Sequence, residues 1–245
     1  MTITKKPTDY FDDDLAALLA GKISRVDKIF DGNKFIQAVS AGCSNKPLKH
    51  RVELFADQLK ICLAGGYKQS IETLLQILGP ENEEETGMFT NFYWIMPIAK
   101  YVEKYGTDYF FESITAIEEI TKRNTGEYAI RPFIRKYPDQ TLRQMKSWAG
   151  SDNFHLRRLA SEGLRPRLPW ATKLDLFIEN PVQVFNILEI LKEDPVHFVK
   201  KSVANHITDY LKVNPNAAKQ LISEWQDSNS EHTMWILKHA TRKSG

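Results

Sequence analysis

The chain has 245 residues, 42% of them hydrophobic and 26% charged, with a formal net charge of +2 at pH 7. Those proportions argue against wholesale disorder, and no stretch approaches the roughly 20 uncharged apolar residues of a membrane helix. The two cysteines, Cys43 and Cys62, have no CxxC spacing, which argues against a disulfide scaffold or a structural zinc site. The opening MTITKKPTDYFDDD lacks the apolar core of a secretory signal, so a reduced cytoplasmic compartment is expected. Apolar residues three and four apart predict helices over Asp9–Leu19, Leu48–Leu63, Ile71–Leu78, Phe89–Tyr105, Phe110–Lys122 and Val182–Leu191. No run shows sustained strand alternation. The one hairpin-type dipeptide, Asp31-Gly32, has helical patterns on both sides, so the expected class is all-α. Asn180-Pro181, Asp194-Pro195 and Asn214-Pro215 each put a capping side chain before a proline that tolerates the first helical position, and Tyr137-Pro138 opens a further helix without a cap.

The second half is weakly self-similar. Asp152–Glu162 can be laid on Asp194–Asn205 with Leu156 on Val199, an offset of 43 residues, and Trp235–Thr241 reads as a third copy, with Trp235 36 residues beyond Val199. Such periods, with two helices per unit, predict a HEAT-like solenoid in which one set of helices lines a concave surface; a generic helical bundle is the alternative. Charge is unevenly spread. Residues 1–120 hold 13 Lys+Arg and 18 Asp+Glu, whereas residues 121–245 hold 20 and 13. The basic half therefore suits a polyanion as well as it suits an ordinary solvated surface.

On a helical wheel, Leu156, Leu159, Ala160 and Gly163 share one side of Asn153–Gly163, and Phe154, Arg158, Ser161 and Glu162 take the other, exposed side. In the next repeat Val196, Val199, Val203, Ile207 and Tyr210 form the buried stripe, opposite Lys201, Asn205 and Asp209. Each repeat thus presents a cation one turn before a polar or acidic residue. Each feature has a plain structural reading as well. Arg158–Glu162 fits a helix salt bridge worth about 0.3–0.5 kcal/mol, Glu127 fits a first-turn acid complementing a helix dipole, and Trp170 fits a core or interface aromatic.

The segment Asn153–Trp170, NFHLRRLASEGLRPRLPW, resembles the RRLxSEGxRPRLPW signature of the AlkC branch of bacterial HEAT-like alkylpurine DNA glycosylases. Supporting matches follow in order at Tyr93–Ala99 (YWIMPIA), Thr125–Ile134 (TGEYAIRPFI), Val199–Asp209 (VKKSVANHITD) and Trp235–Arg242 (WILKHATR). The resemblance covers most of the chain from about Met88 onward. It implies a single HEAT-like domain over 1–245, with N-terminal helical repeats in 1–87 and catalytic and DNA-binding repeats in 88–245. Leu164 stands where the family often has a small or polar residue. The ending HATRKSG implies a short last repeat and no C-terminal immunoglobulin-like domain.

The family cleaves the N-glycosidic bond of cationic alkylated bases, chiefly 3-methyladenine and, in this branch, 3-methylcytosine. The resemblance implies Glu127, Glu162 and Asp209 as the acidic constellation, on three separate helices, and Trp170 as the aromatic against the base. Arg157, Arg158, Arg165, Arg167, Lys200 and Lys201 are assigned to the DNA backbone on charge and helical face. A base alkylated at a ring nitrogen is already a good leaving group. The remaining demand is to stabilise an oxocarbenium-like sugar and orient water, which carboxylates do without a metal. A cation over an indole face gains roughly 0.5–2 kcal/mol, and a neutral base gains less. The expected protein is a cofactor-free, monomeric, nucleoid-associated bacterial repair enzyme acting on alkylated double-stranded DNA. A catalytically inactive HEAT-like module that grips DNA or protein is the alternative. It gives no reason to keep three acids on a phosphate-binding face.

Overall fold

The computed structural model describes residues 6–87, 89 and 91–242, and among them it is helical throughout, with no strand. The helices are α1 (Asp13–Val26), α2 (Gly32–Cys43), α3 (Leu48–Cys62), α4 (Tyr67–Gln76), α5 (Met96–Tyr105), α6 (Phe110–Thr121), α7 (Arg131–Lys136), α8 (Pro138–Ala149), α9 (Phe154–Glu162), α10 (Val182–Leu191), α11 (His197–Val213), α12 (Pro215–Trp225) and α13 (Glu231–Thr241). None of the described helices is long and apolar enough to cross a membrane. The chain divides into two compact units. One contains α1–α6. The other contains α7–α13 together with the short segment Glu83–Thr86. The main division between the two falls after Ala129.

Helix starts follow local chemistry, not always as expected. Asp31-Gly32 is no hairpin: the Asp31 carboxylate accepts from Lys34 N–H at 2.9 Å and opens α2. The first long helix begins at Asp13 rather than Asp9, and Asp12 caps it, accepting from the amides of Asp14 and Leu15. Of the three capping-residue–proline pairs, only Asn214-Pro215 behaves as a cap, with Asn214 accepting from Ala217 N–H at 3.2 Å. Asn180 makes no cap bond, because α10 begins one residue later, behind Pro181. Asp194 precedes α11 and accepts from Val196 N–H at 2.9 Å, and its carboxylate is also the partner of Arg157. Tyr137-Pro138 opens α8 without a side-chain cap. The helix expected from Phe89 begins only at Met96, after a 3₁₀ turn at Tyr93–Ile95, because Pro97 belongs in a first turn and not mid-helix.

In the first unit α2 packs on α1 and α3, α3 on α5, and α6 on α4 and α5. Phe55 meets Phe11 and Phe35 edge-on at 6.3 and 6.1 Å, and Tyr67 stacks on Tyr109 at 4.8 Å while bonding Ser113 Oγ at 2.7 Å. In the second unit the three self-similar segments are α9, α11 and α13, and α11 packs against both of the others. Helices α8, α10 and α12 back them, α8 on α9, α10 on α9 and α11, and α12 on α11 and α13. Of the stripe read from sequence, α11 buries all but Val196, which stands before the helix as its N-cap and is half-buried. Val199, Val203 and Ile207 are fully buried and Tyr210 nearly so, each apolar side chain worth about 1.5–3 kcal/mol.

Candidate active site

Glu162 ends α9 and Asp209 lies in the C-terminal half of α11. The contact between these helices brings the carboxylates to one guanidinium. Arg165 gives Nη1–H to Glu162 Oε1 at 2.6 Å and Nε–H to Asp209 Oδ2 at 2.9 Å. All three side chains are buried. The second Glu162 oxygen accepts the Ser202 hydroxyl at 2.6 Å, and Arg158 Nη2 stands 3.6 Å from Oε1. The wheel therefore misplaced this face. Ser161 and Glu162, read as exposed, are buried because α11 covers the side of α9 opposite its apolar stripe.

The two acids differ electrostatically. Burial pushes Glu162 upward, but Arg158, Arg165 and the Ser202 bond outweigh it and hold the carboxyl below its ordinary value. For Asp209 burial wins: Arg165 and Lys212 oppose it incompletely, Glu162 adds to it, and the carboxyl is raised. Asp209 also lines a cavity of about 130 Å³, with Asn205, Lys212, His239 and Arg242. Behind Glu162, His206 is fully buried. Its Nδ1 lies 3.4 Å from Ser161 Oγ, and burial and the neighbouring Arg165 push its pKa down to about 3.

Trp170 sits in the loop between α9 and α10, 60% exposed, with φ of 63°. The left-handed region costs a non-glycine residue roughly 1–2 kcal/mol, so surrounding contacts must hold it. Leu174 N–H donates to Pro166 O at 3.0 Å and closes the loop; Leu164, Leu168 and Leu174 anchor it in the core. Gly163 is required at the loop's start, since a Cβ there would lie 2.8 Å from Met145 Cε and 2.9 Å from Ile130 Cγ2.

A family profile described as DNA alkylation repair enzyme matches residues 103–243, more than half of the chain, and spans Glu127, Glu162, Trp170 and Asp209. The chain belongs to the DNA alkylation repair enzyme family. It is 42% identical over 142 residues to the uncharacterized protein YhaZ of Bacillus subtilis (strain 168), a match covering 58% of this chain and 40% of that protein. Its fold matches, with a TM-score of 0.87 and 30% identity, the Pseudomonas fluorescens alkylpurine DNA glycosylase AlkC bound to DNA containing an abasic site analog. That match covers 98% of this chain and 65% of the other. The chain thus spans less than two thirds of the length of either. The all-α expectation and the AlkC-type resemblance hold.

The third expected acid of this DNA alkylation repair family member lies in the first unit. Glu127 is buried, but in a turn before α7, not on a helix, so the expectation of three separate helices is corrected. The reason is local. Thr125 Oγ1 donates to Glu127 Oε2 at 2.8 Å, and Gly126 presses against α6, where a Cβ would fall 2.5 Å from Thr121 Oγ1. The six basic residues also part company. Arg165 is the buried clamp just described. Arg157 closes on Asp194 at 2.5 Å and donates to the carbonyls of Ser151 and Asp152, each at 2.9 Å. Arg158 lies over the Phe198 ring at 4.5 Å, and Lys200 over Trp235 at 5.6 Å, while Lys201 and Arg167 are exposed. Ser202 and Arg131 carry no role in the sequence-based reading. An arginine inside the quoted TGEYAIRPFI block was the only signal for the latter.

Proposed function

We propose that this chain is a DNA glycosylase that hydrolyses the N-glycosidic bond of cationic alkylated bases such as 3-methyladenine and 3-methylcytosine in double-stranded DNA. The observation that carries the reading is the buried Glu162–Arg165–Asp209 cluster, in a member of a DNA alkylation repair family whose fold matches a DNA-bound glycosylase. A purely structural ion pair does not need a second acid on the same guanidinium, and burying charge is costly unless it is paired and hydrogen-bonded.

Glu162, kept anionic by its arginines and Ser202, opposes the positive charge that develops on the sugar as the bond stretches. Asp209, with its raised affinity for protons and its place on the cavity wall, takes a proton from the attacking water. A cavity of about 130 Å³ has room for a few waters at roughly 30 Å³ each. The family resemblance implies Glu127 as a further carboxylate for the reaction. The alkylated base leaves as a neutral molecule, so no strong general acid is required. Trp170 presents its indole to the cationic base and gains less from an undamaged one. Arg158, Arg167, Lys200 and Lys201 neutralise phosphates, while Arg157 and Arg165 hold the fold and the acids.

The test is one incubation of purified protein with methylated duplex DNA, scored by chromatography of released bases. Release of 3-methyladenine or 3-methylcytosine is expected. Tight binding without release would instead indicate a non-catalytic DNA-gripping module.

A further inference from the structure

We infer that Arg131 and Arg135, one turn apart on α7, are positioning residues that set Trp170 against the lesion; this rests on the reading that Trp170 meets the damaged base. Arg131 is buried and reaches across to the loop. Its Nη1 donates to Gly163 O at 3.2 Å and Arg165 O at 2.9 Å, and its Nη2 to Thr172 O at 2.7 Å. Arg135, at the surface, donates through Nη2 to Thr172 Oγ1 at 2.7 Å and to the carbonyls of Thr172 and Lys173. Two guanidiniums on one short helix therefore grip the chain on both sides of Trp170. The loop they grip is the one whose exposed indole sits on left-handed backbone.

A mostly exposed ring on strained backbone relaxes unless its flanks are held. Holding the flanks removes the ordering cost that the base would otherwise meet on binding. The rigid, planar fork of arginine suits two carbonyls at once, and a lysine ammonium does not reproduce it. Because Arg131 also holds the carbonyl of Arg165, the same fork joins the ring's loop to the clamp of Glu162 and Asp209.

The experiment uses Arg135→Ala, a surface change expected to fold, and Arg131→Lys, each made alone and with Trp170→Ala. KM and kcat for release of methylated bases are measured alongside ¹⁹F NMR of protein carrying 5-fluorotryptophan, with the Trp170 signal assigned by its loss in Trp170→Ala. Both variants are expected to shift or broaden that signal. Arg135→Ala should raise KM by up to about ten-fold, within what a cation gains over an indole face, with a smaller change in kcat. The KM effect of Arg135→Ala should not remain on the Trp170→Ala background. An unmoved Trp170 signal, or an equal KM rise with and without Trp170, overturns the inference. If the wild-type protein releases no base while the signal moves, the positioning stands and the glycosylase reading is what fails.

Discussion

Ser202 donates its hydroxyl to Glu162 Oε2 at 2.6 Å, from one turn before His206 on the helix that packs over α9. The bond favours the ionised form of Glu162, whose folded-state affinity for protons is already below ordinary. Ser202→Ala is expected to raise that affinity. The acidic limb of the pH–rate profile should then move to higher pH while the plateau is kept. Loss of a buried bond to a charged group should cost about 1–3 kcal/mol of stability by urea unfolding. An unmoved acidic limb would detach Glu162 ionisation from the reaction.

Glu162→Gln keeps the shape and a hydrogen-bond acceptor for Arg165, which still has Asp209. The variant should fold and retain affinity for DNA. Base release should fall by about 10²-fold or more, the scale of removing a charge-stabilising group from a dry site. Chromatography of released bases beside circular dichroism separates lost chemistry from lost structure. Release at the wild-type rate would remove Glu162 from the mechanism.

Trp170 separates stability from function. Glycine adopts a φ of 63° freely, and the indole is 60% exposed, so Trp170→Gly relieves strain and gives up little buried area. Its unfolding free energy should stay within about 1 kcal/mol of wild type. Release of cationic bases should fall nonetheless. Calorimetry paired with the release assay tests both halves.

Arg157 and Lys201 should respond in opposite ways. Arg157→Ala leaves the buried Asp194 carboxylate without its guanidinium and should destabilise by about 3–5 kcal/mol. The salt dependence of DNA binding should not change, because that guanidinium is committed inside the protein. Lys201→Ala should leave the melting temperature alone and lower the slope of log K against log salt by about one phosphate contact. Titrations at several salt concentrations, with melts on the same samples, decide the matter.

His206 makes stability depend on acid. Its pKa is pushed from 6.5 down to about 3, so between those values the unfolded chain binds a proton that the folded chain refuses. Stability is full above about pH 6.5 and should fall below it by about 1.4 kcal/mol per pH unit from this group. His206→Gln should flatten that slope by about one proton, as read from urea unfolding between pH 6 and pH 4.

Periodicity and local chemistry sufficed for the helical class, the buried stripe of α11, the α9–α11–α13 similarity and the segment that carries the family resemblance. These depend on residues close in sequence, where spacing and side-chain type are enough. Which face of α9 meets solvent was decided elsewhere. A wheel shows one apolar stripe and cannot show that a second helix covers the opposite side, so Ser161 and Glu162 were read as exposed. The duties of the arginines were equally hidden. Arg157 finds Asp194, Arg165 finds Asp209, and Arg131 finds Thr172, all more than 30 residues away in sequence. Charge is written in the sequence, but the partner that uses it comes only with packing, because a guanidinium taken from water must meet whatever acceptors the folded backbone brings near.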